Sequence, residues 1–450
     1  MKKKIFLSLF FLTTSSQLYA LDLVEAYQRA KQSDPSWQAN LYQYQADQLN
    51  LGIARTNFLP TVSVSGNITR KHQGSNQSNS VTIPGFENFG DALMSSTSTT
   101  KQISITARQP LFRKDAWEGY KQVQTSVLLS EVQLRQRQQD HILNVAESYF
   151  NVLRQQTLTS SHLQEEKALL EQLEMMNAKL REGLVARSDV SEANAQYQNA
   201  RANRISSNVQ LLLAQEQLAQ LIGPYQESLA VLQENFSYQQ PYPANLQEWT
   251  TLAQNQNLSV QQARLQQKYN DDQRRIERAA LYPQLEAVAT YGYTKQSPET
   301  LISGDGQFDQ IGVEMNWNLF NGGRTQQNIR KATVDIRRAE AELEAAVRKS
   351  TTDAKQAYLQ VQTDQNKLEA RKAAMQSSEL VSRASLAQYN EGLKTIVDVL
   401  LAQRNAFSAR QDYVNAQYDH LINILRLKAA AGQLNEQDLQ EMNSWLVEKF

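Results

Sequence analysis

The 450-residue sequence contains no cysteine. That removes disulfides, thiol nucleophiles, cysteine-based metal sites and an N-terminal lipidated cysteine. A domain of this size does not need disulfides for stability outside the cell. Charge of either sign in excess is also missing: 46 Lys and Arg balance 46 Asp and Glu. Nucleic acid therefore has no basic face to meet, and no nucleic-acid partner is expected. Beyond the N-terminus no apolar run approaches the roughly 20 residues of a membrane helix. The four histidines, His72, His141, His162 and His420, show no metal-ligand spacing, and each reads as a surface or interface residue. A phosphate loop, a nucleophile elbow and a paired-metal motif are all lacking. An enzyme reading has little footing, and neither catalytic residues nor a cofactor or metal is expected.

Glycine and proline are absent from two long stretches, Tyr120 to Glu182 and Arg324 to Glu391. As unbroken helices these 63 and 68 residues would reach roughly 95 to 100 Å, far beyond the usual three or four turns. Leu143, Ala146, Phe150 and Leu153 step by 3, 4, 3, and so do Ile142, Val145, Tyr149 and Val152. Two adjacent seams imply a neighbour on each side. A further seam runs through Leu169, Leu173, Met176 and Leu180, and Val190, Ala193, Tyr197 and Ala200 start one on a returning helix. An antiparallel coiled coil with one partner is the simpler reading; the two seams, the length and the small Ala contacts favour a larger ring of helices.

The N-terminus differs from the rest. Lys2, Lys3 and Lys4 precede the apolar run Ile5 to Leu12, and a polar stretch reaches Ala20. This is the pattern of a secretory signal peptide over residues 1–20, and the run is too short for a membrane anchor. The mature chain is then expected outside the cytoplasm.

What remains is said twice. A Pro-led alternating segment, a polar loop, a second alternating segment, a long helix, a Gly-centred turn and a returning helix occur in each half. From the turns Gly183-Leu184-Val185 and Gly392-Leu393-Lys394 onward the offset is a constant 209 residues, ending at Gly223 and Gly432. Such self-similarity means two structurally alike repeats, 21–239 and 240–450. Strands are expected near 60–71 and 101–112, then near 283–294 and 309–320. The helix tips fall near 183–188 and 391–396, and 433–450 forms a collar segment together with Pro224 to Pro243. The helices that enter the strand pairs, Ser36 to Asn57 and Ser259 to Ala280, are of a length to stack end to end on the returning ones.

In residues 61–70 Val62, Val64 and Ile68 oppose Ser63, Ser65, Asn67 and Thr69, and Ile311, Val313, Met315, Trp317 and Leu319 alternate as cleanly. Period-two alternation marks a strand with one apolar and one polar face. Alternation alone also fits the edge of a soluble sandwich. The length of about ten residues suits a tilted strand crossing a bilayer, and long polar loops between such strands suit an outer-membrane barrel. Four strands cannot close a barrel, so several chains must share one; two would give eight strands with a filled interior, three would give twelve and leave a lumen.

The motifs Gly183-Leu184-Val185-Ala186-x-Ser188-Asp189-Val190 and Tyr389-Asn390-Glu391-Gly392-Leu393-Lys394-Thr395-Ile396-Val397-Asp398-Val399-Leu400, with Ala146-x-x-Tyr149-Phe150-Asn151-Val152-Leu153, Leu421-Ile422-Asn423 and Leu434-Asn435-Glu436-Gln437-Asp438-Leu439, closely resemble the TolC family of outer membrane efflux proteins. The resemblance covers essentially all of the mature chain. It implies a mostly α fold with a small membrane β part: a homotrimer with a 12-stranded β-barrel in the outer membrane of a Gram-negative bacterium, continuous with a periplasmic α-helical barrel. It also implies a passive exit duct of tripartite efflux pumps, or of type I secretion. The partners it implies are a periplasmic adaptor (membrane fusion) protein, an inner-membrane pump of RND, ABC or MFS type, and outer membrane lipid. By the same resemblance Asp398, Tyr389, Lys394, Asp189 and Ser188 belong to the periplasmic entrance gate. Gly183, Leu184, Val185, Gly392 and Leu393 are adaptor-docking tips. Asp398 also has a local reading, as the partner of Thr395 in a capping box, and the two glycines have one as plain turn residues. The family's second acid is Leu401 here, Lys394 replaces a frequent Arg, and Gln417 replaces an Arg of another gate link. An exported coiled-coil structural or surface-layer subunit is the competing reading.

Overall fold

The computed structural model describes residues 20–72, 97–233, 242–297 and 305–447. Residues 1–19 of the expected signal peptide, most of both polar loops, part of the segment between the repeats and Phe450 lie outside them. The elements run in the order α1 (Leu23–Ser33), α2 (Pro35–Thr56), β1 (Thr61–His72), β2 (Thr97–Phe112), α3 (Lys114–Arg181) and α4 (Arg187–Ile222). After the two-residue β3 (Val231–Leu232) come α5 (Leu246–Gln256), α6 (Leu258–Ala279), β4 (Gln284–Ser297), β5 (Gly306–Asn316), α7 (Arg324–Asn390) and α8 (Ile396–Ala430). A short α9 (Glu436–Asn443) and β6 (Leu446–Val447) end the described chain. The fold is mostly helical, and α3 and α7 are unbroken over 68 and 67 residues. Two compact units divide it, and each draws on both repeats: one gathers Met1–Tyr42, Gln133–Gln261 and Ala345–Phe450, the other Gln43–Val132 and Gln262–Glu344.

The second unit holds one antiparallel sheet in the order β1-β2-β4-β5. Its register runs from Thr61 opposite Arg108 to His72 opposite Thr97, then pairs Ile105 with Tyr291 and Ala289 with Ile311. This puts Val62, Val64, Ile105, Tyr291, Ile311 and Val313 on one face, and all six are exposed. The opposite face is polar. Ser65 and Ser104 hydroxyls meet at 3.0 Å, Thr106 and Thr290 at 3.2 Å, and Arg108 lies 3.0 Å from Glu314 and 3.8 Å from Glu286. A sheet with both faces exposed and one of them apolar suits lipid on that side. β5 ends at Asn316, short of the expected Phe320. Trp317 turns its indole N–H to the Leu281 carbonyl at 3.1 Å, which draws the chain out of the ladder. In the same unit the buried Asp272 accepts from the Thr125 hydroxyl at 2.7 Å, tying α3 to α6.

The first unit is built on both α3 seams. Ile142, Val145, Ala146, Tyr149, Phe150, Val152 and Leu153 are all buried, against Leu21, Leu23, Tyr27, Leu218, Leu421 and Leu425. The Tyr149 hydroxyl donates to the carbonyl oxygens of Leu21 and Ala230, each at 2.9 Å. One side chain thereby fastens the start of the described chain and the segment before β3 to the middle of α3. β3 pairs with β6 through Val231–Val447 and Leu232–Leu446, so the segment after α4 and the chain's tail share a ladder.

Each returning helix ends at a positive-φ glycine beside the junction that leads into an entering helix. Gly223 closes α4 with φ +82°, and a Cβ there would touch Ser33 at the α1–α2 junction. Gly432 follows α8 with φ +73°; its N–H reaches the Ala429 carbonyl at 2.9 Å, and the Gln433 N–H reaches that of Lys428 at 2.8 Å. This double bond pattern is the left-handed glycine stop of a helix. A Cβ at Gly432 would collide with the Gln256 carbonyl oxygen, at the α5–α6 junction, where the Asn257 amide donates to the Ala430 carbonyl at 2.9 Å.

Two histidines depart from the surface reading: His141 and His420 are buried. His141 stacks on Trp37 at 5.2 Å and tilts against Tyr27 at 5.5 Å, and its Nε2 lies 3.2 Å from Asp34 Oδ2. Burial lowers its pKa from the ordinary value; Asp34 opposes the shift and Lys31 adds to it. The folded state therefore favours neutral imidazole. Its contribution to stability is complete above the unfolded value of about 6.5 and declines as pH falls below it.

Two outcomes follow. Gly432→Ala is expected to cost at least the ~1–2 kcal/mol of a left-handed non-glycine residue, because the collision adds to it; a thermal unfolding midpoint equal to wild type would remove the close approach as a constraint. The urea midpoint should fall between pH 7.5 and pH 5, and fall less in His141→Gln. An equal drop in both proteins would mean that His141 does not carry it.

Candidate functional site

Both helix tips are built by one backbone device. The Gly183 N–H reaches the Leu180 carbonyl at 3.0 Å and the Leu184 N–H that of Lys179 at 2.9 Å. At the other tip Gly392 reaches Tyr389 at 2.9 Å and Leu393 reaches Gln388 at 2.8 Å. Gly183 and Gly392 have φ +73° and +76°, which only glycine adopts without strain. The leucine after each glycine is left in solvent, Leu184 at 67% and Leu393 at 74% exposure, while Val185 is half-buried.

The tips differ in what starts the next helix. At α8, Thr395 and Asp398 form a complete capping box: the Thr395 hydroxyl and N–H donate to Asp398 Oδ2 at 2.6 and 3.0 Å, and the Asp398 N–H donates to the Thr395 hydroxyl at 3.3 Å. At α4 the equivalent of Thr395 is Ala186, so only half of the box remains: the Ala186 N–H donates to Asp189 Oδ2 at 3.3 Å, and the Ser188 hydroxyl to Oδ1 at 3.3 Å. Asp398 is fully exposed, and its pKa is lowered by the Thr395 hydroxyl first, then by the Thr395 N–H and the charge of Lys394.

Between the tips lies a small core of Leu169, Met176, Ala193, Ala200, Ile396, Val399 and Leu400. It brings Tyr389 to α3: the phenol donates to Met176 Sδ at 3.5 Å, and the Lys179 ammonium sits 4.4 Å from the ring centre. Lys394 donates from Nζ to the hydroxyl of the buried Ser385 at 2.9 Å. Within one chain, Tyr389 and Lys394 therefore engage neither Asp189 nor Ser188. Gln417 donates to the Tyr413 hydroxyl at 3.0 Å on its own helix. Leu401 is 50% exposed and, with Leu393 and Val397, continues an apolar stripe at helical spacing along the start of α8. Met176, Lys179 and Ser385 were absent from the sequence-based site. The first two lie more than 200 residues from Tyr389, and no local spacing announces them.

The sequence profile described as "Outer membrane efflux protein" matches residues 26–224 and 249–433. The chain is 30% identical over 445 residues to the outer membrane protein TolC of Escherichia coli (strain K12), covering 96% of this chain and 86% of that protein. It is 27% identical to the alkaline protease secretion protein AprF of Pseudomonas aeruginosa, covering 96% and 88%. The crystal structure of the CmeC outer membrane channel of Campylobacter jejuni superposes with a TM-score of 0.78 at 16% identity, over 94% of this chain and 90% of that one. With this fold and these matches, the chain belongs to the outer membrane efflux protein family and is an outer membrane channel.

Proposed function

We propose that three copies of this chain close into one channel that serves as a passive exit duct. The observation that carries the reading is the open four-stranded sheet, apolar on one exposed face and polar on the other, with β1 and β5 unpaired along their outer edges among the described residues. Lipid offers no hydrogen-bond partner to such edges, so they must pair with other copies. Twelve strands leave a lumen where eight would fill with side chains. Helix edges add support. α2 exposes Tyr42, Leu49 and Ile53, α4 exposes Val209, Leu212 and Leu213, and α7 exposes Val334, Leu359 and Leu380. Exposed apolar residues repeated along helices of this length fit contacts between copies.

In this reading most of the mature chain lies in the periplasm and residues 1–20 are a leader removed on export. Each chain has two domains, the repeats 21–239 and 240–450. The tips around Gly183, Leu184, Val185, Gly392 and Leu393 meet a periplasmic adaptor protein, which joins the duct to an inner-membrane pump. Asp398, Tyr389, Lys394, Asp189 and Ser188 surround the entrance. Three Asp398 carboxylates on one axis attract cations, and Leu401 supplies no second ring of charge.

The purified protein should be a detergent-requiring trimer that conducts in planar bilayers. A water-soluble monomer or polymer without conductance would favour the structural-subunit reading instead. Asp398→Ala should lower cation preference, and Leu401→Asp should strengthen block by multivalent cations; reversal potentials and half-block concentrations that match wild type would remove the two positions from the entrance. The Thr395 bonds lower the Asp398 pKa within each chain, while repulsion among three Asp398 carboxylates on one axis works against that shift, so cation preference should be lost as pH falls through the carboxylate range. Thr395→Ala, which deletes the main cause of the shift, should move the loss to higher pH.

A further inference from the structure

We propose that Phe308 is a contact by which the channel wall holds aromatic organic cations on their way out, and that Gly292 is the positioning residue that lets its ring lie there. The proposal rests on the reading of the four strands as one third of a barrel whose polar face lines the lumen.

The register settles which side chains share that face. Thr106, Ser104 and Gln102 on β2 stand opposite Thr290, Gly292 and Thr294 on β4, which stand opposite Gln310, Phe308 and Gly306 on β5. Lys71 and Arg108 on β1 and β2, and the paired Glu286 and Glu314, carry its charge. Val288 and Pro110 are its aliphatic members, and among the described residues Phe308 is its sole aromatic. An aromatic on an otherwise hydroxyl-, amide- and charge-bearing wall calls for a reason.

The ring's seat is specific. A Cβ built on Gly292 would lie 2.6 Å from Phe308 Cζ, 2.8 Å from Cε1 and 2.8 Å from the Ile103 carbonyl oxygen. The end of the ring thus occupies the place of the missing Gly292 side chain and lies across β4 toward β2. Covering a strand glycine in this way also supports the sheet, but support alone leaves the other side of the ring unused. Phe308 is half-buried, so part of the ring remains open. Its neighbours Gln310 and Gly306 bring no charge of their own. What the site offers is a π face, which attracts cations and stacks with aromatic rings. Three copies of Phe308 would stand at one level of the lumen, so a passing cargo meets the same surface from each side.

The test is single-channel recording of the whole trimer with tetraphenylphosphonium as the probe. Potassium conductance reads the channel and the half-block concentration reads the contact. Phe308→Leu keeps an apolar side chain over Gly292 and removes the π face. It should conduct potassium much as wild type does, with block weaker by about threefold to fivefold, the range of one exposed cation–π contact. Phe308→Trp should keep or strengthen block. Gly292→Ala evicts the ring and also crowds the Ile103 carbonyl, so it is read only in a trimer that conducts potassium as wild type does, where it should weaken block as Phe308→Leu does. Unchanged block in a conducting Phe308→Leu trimer overturns the contact and leaves a structural role for the ring, with the duct reading intact. A wild-type trimer that conducts no potassium overturns the duct reading, and the proposal with it. Should Phe308→Leu fail to assemble, wild-type block by tetraphenylphosphonium is compared with block by tetramethylammonium, which has no rings; equal potency of the two would equally overturn it.

Discussion

A strand edge needs hydrogen-bond partners, and a lipid environment supplies none. This requirement governs how the rest of the chain is built. The sheet has one apolar and one polar face, both exposed, and two edges that its own chain leaves open. Among the described residues neither a core nor a covering helix absorbs that apolar face. In the proposed duct the chain is incomplete alone, and further copies with the same edges complete it. Parity then becomes strict. Because side chains alternate, a slip of one residue would send Val62, Ile105 and Ile311 to the polar face and Ser65, Thr106 and Glu314 to the apolar one. Cross-strand hydroxyl pairs and the shared Arg108 hold the register from the polar side, where such bonds can form.

In the first unit the problem is different: long helices must be held in place with few turns to do it. The solution is a set of ties at one level of α3. Both seams are buried there, the Tyr149 phenol binds two carbonyls from distant segments, and β3 and β6 join the tail to the segment after α4. The two glycine joints act at helix ends. Both have positive φ, and at Gly432 the Gln256 backbone also comes too close for a Cβ. At Gly432, local chain geometry and packing within the second repeat thus make the same demand on one residue, and glycine alone meets both.

Much of the fold was legible because its signals are local. Alternation found all four long strands, and the lack of Gly and Pro found both long helices. Its errors were also local. The first long helix was expected from Tyr120 and begins at Lys114, since Gly119 costs only about 1 kcal/mol and a 68-residue helix absorbs it. β5 stops early because Trp317 finds a carbonyl on the preceding segment, Leu281, and alternation carries no information about that. His141 read as a surface or interface residue because the rings that bury it within its own chain, Tyr27 and Trp37, are more than 100 residues away. The site divides along the same line. The Thr395–Asp398 box was visible as a three-residue spacing, whereas Met176, Lys179 and Ser385 became visible only when the helices were packed.

The same division shows how the two tips came to differ. Their glycine stops match bond for bond, since backbone geometry at a helix end admits few solutions. Side chains had freedom to diverge, and at the second tip they did: Thr395 completes a box that Ala186 cannot, Lys394 is tied to Ser385, and Tyr389 is held by Met176 and Lys179. These are bonds within one chain. Any latch between copies that recruits Tyr389 or Lys394 must first give them up. A cation–π contact at an exposed site is worth about 0.5–1 kcal/mol, and a hydrogen bond from a charged group such as the Lys394 ammonium nets about 1.5–3 kcal/mol. A latch drawn from these residues therefore gains only the difference between two similar sets of contacts. In the duct proposed above, an entrance built from these residues would sit near balance, where a partner binding the tips need supply little energy to move it.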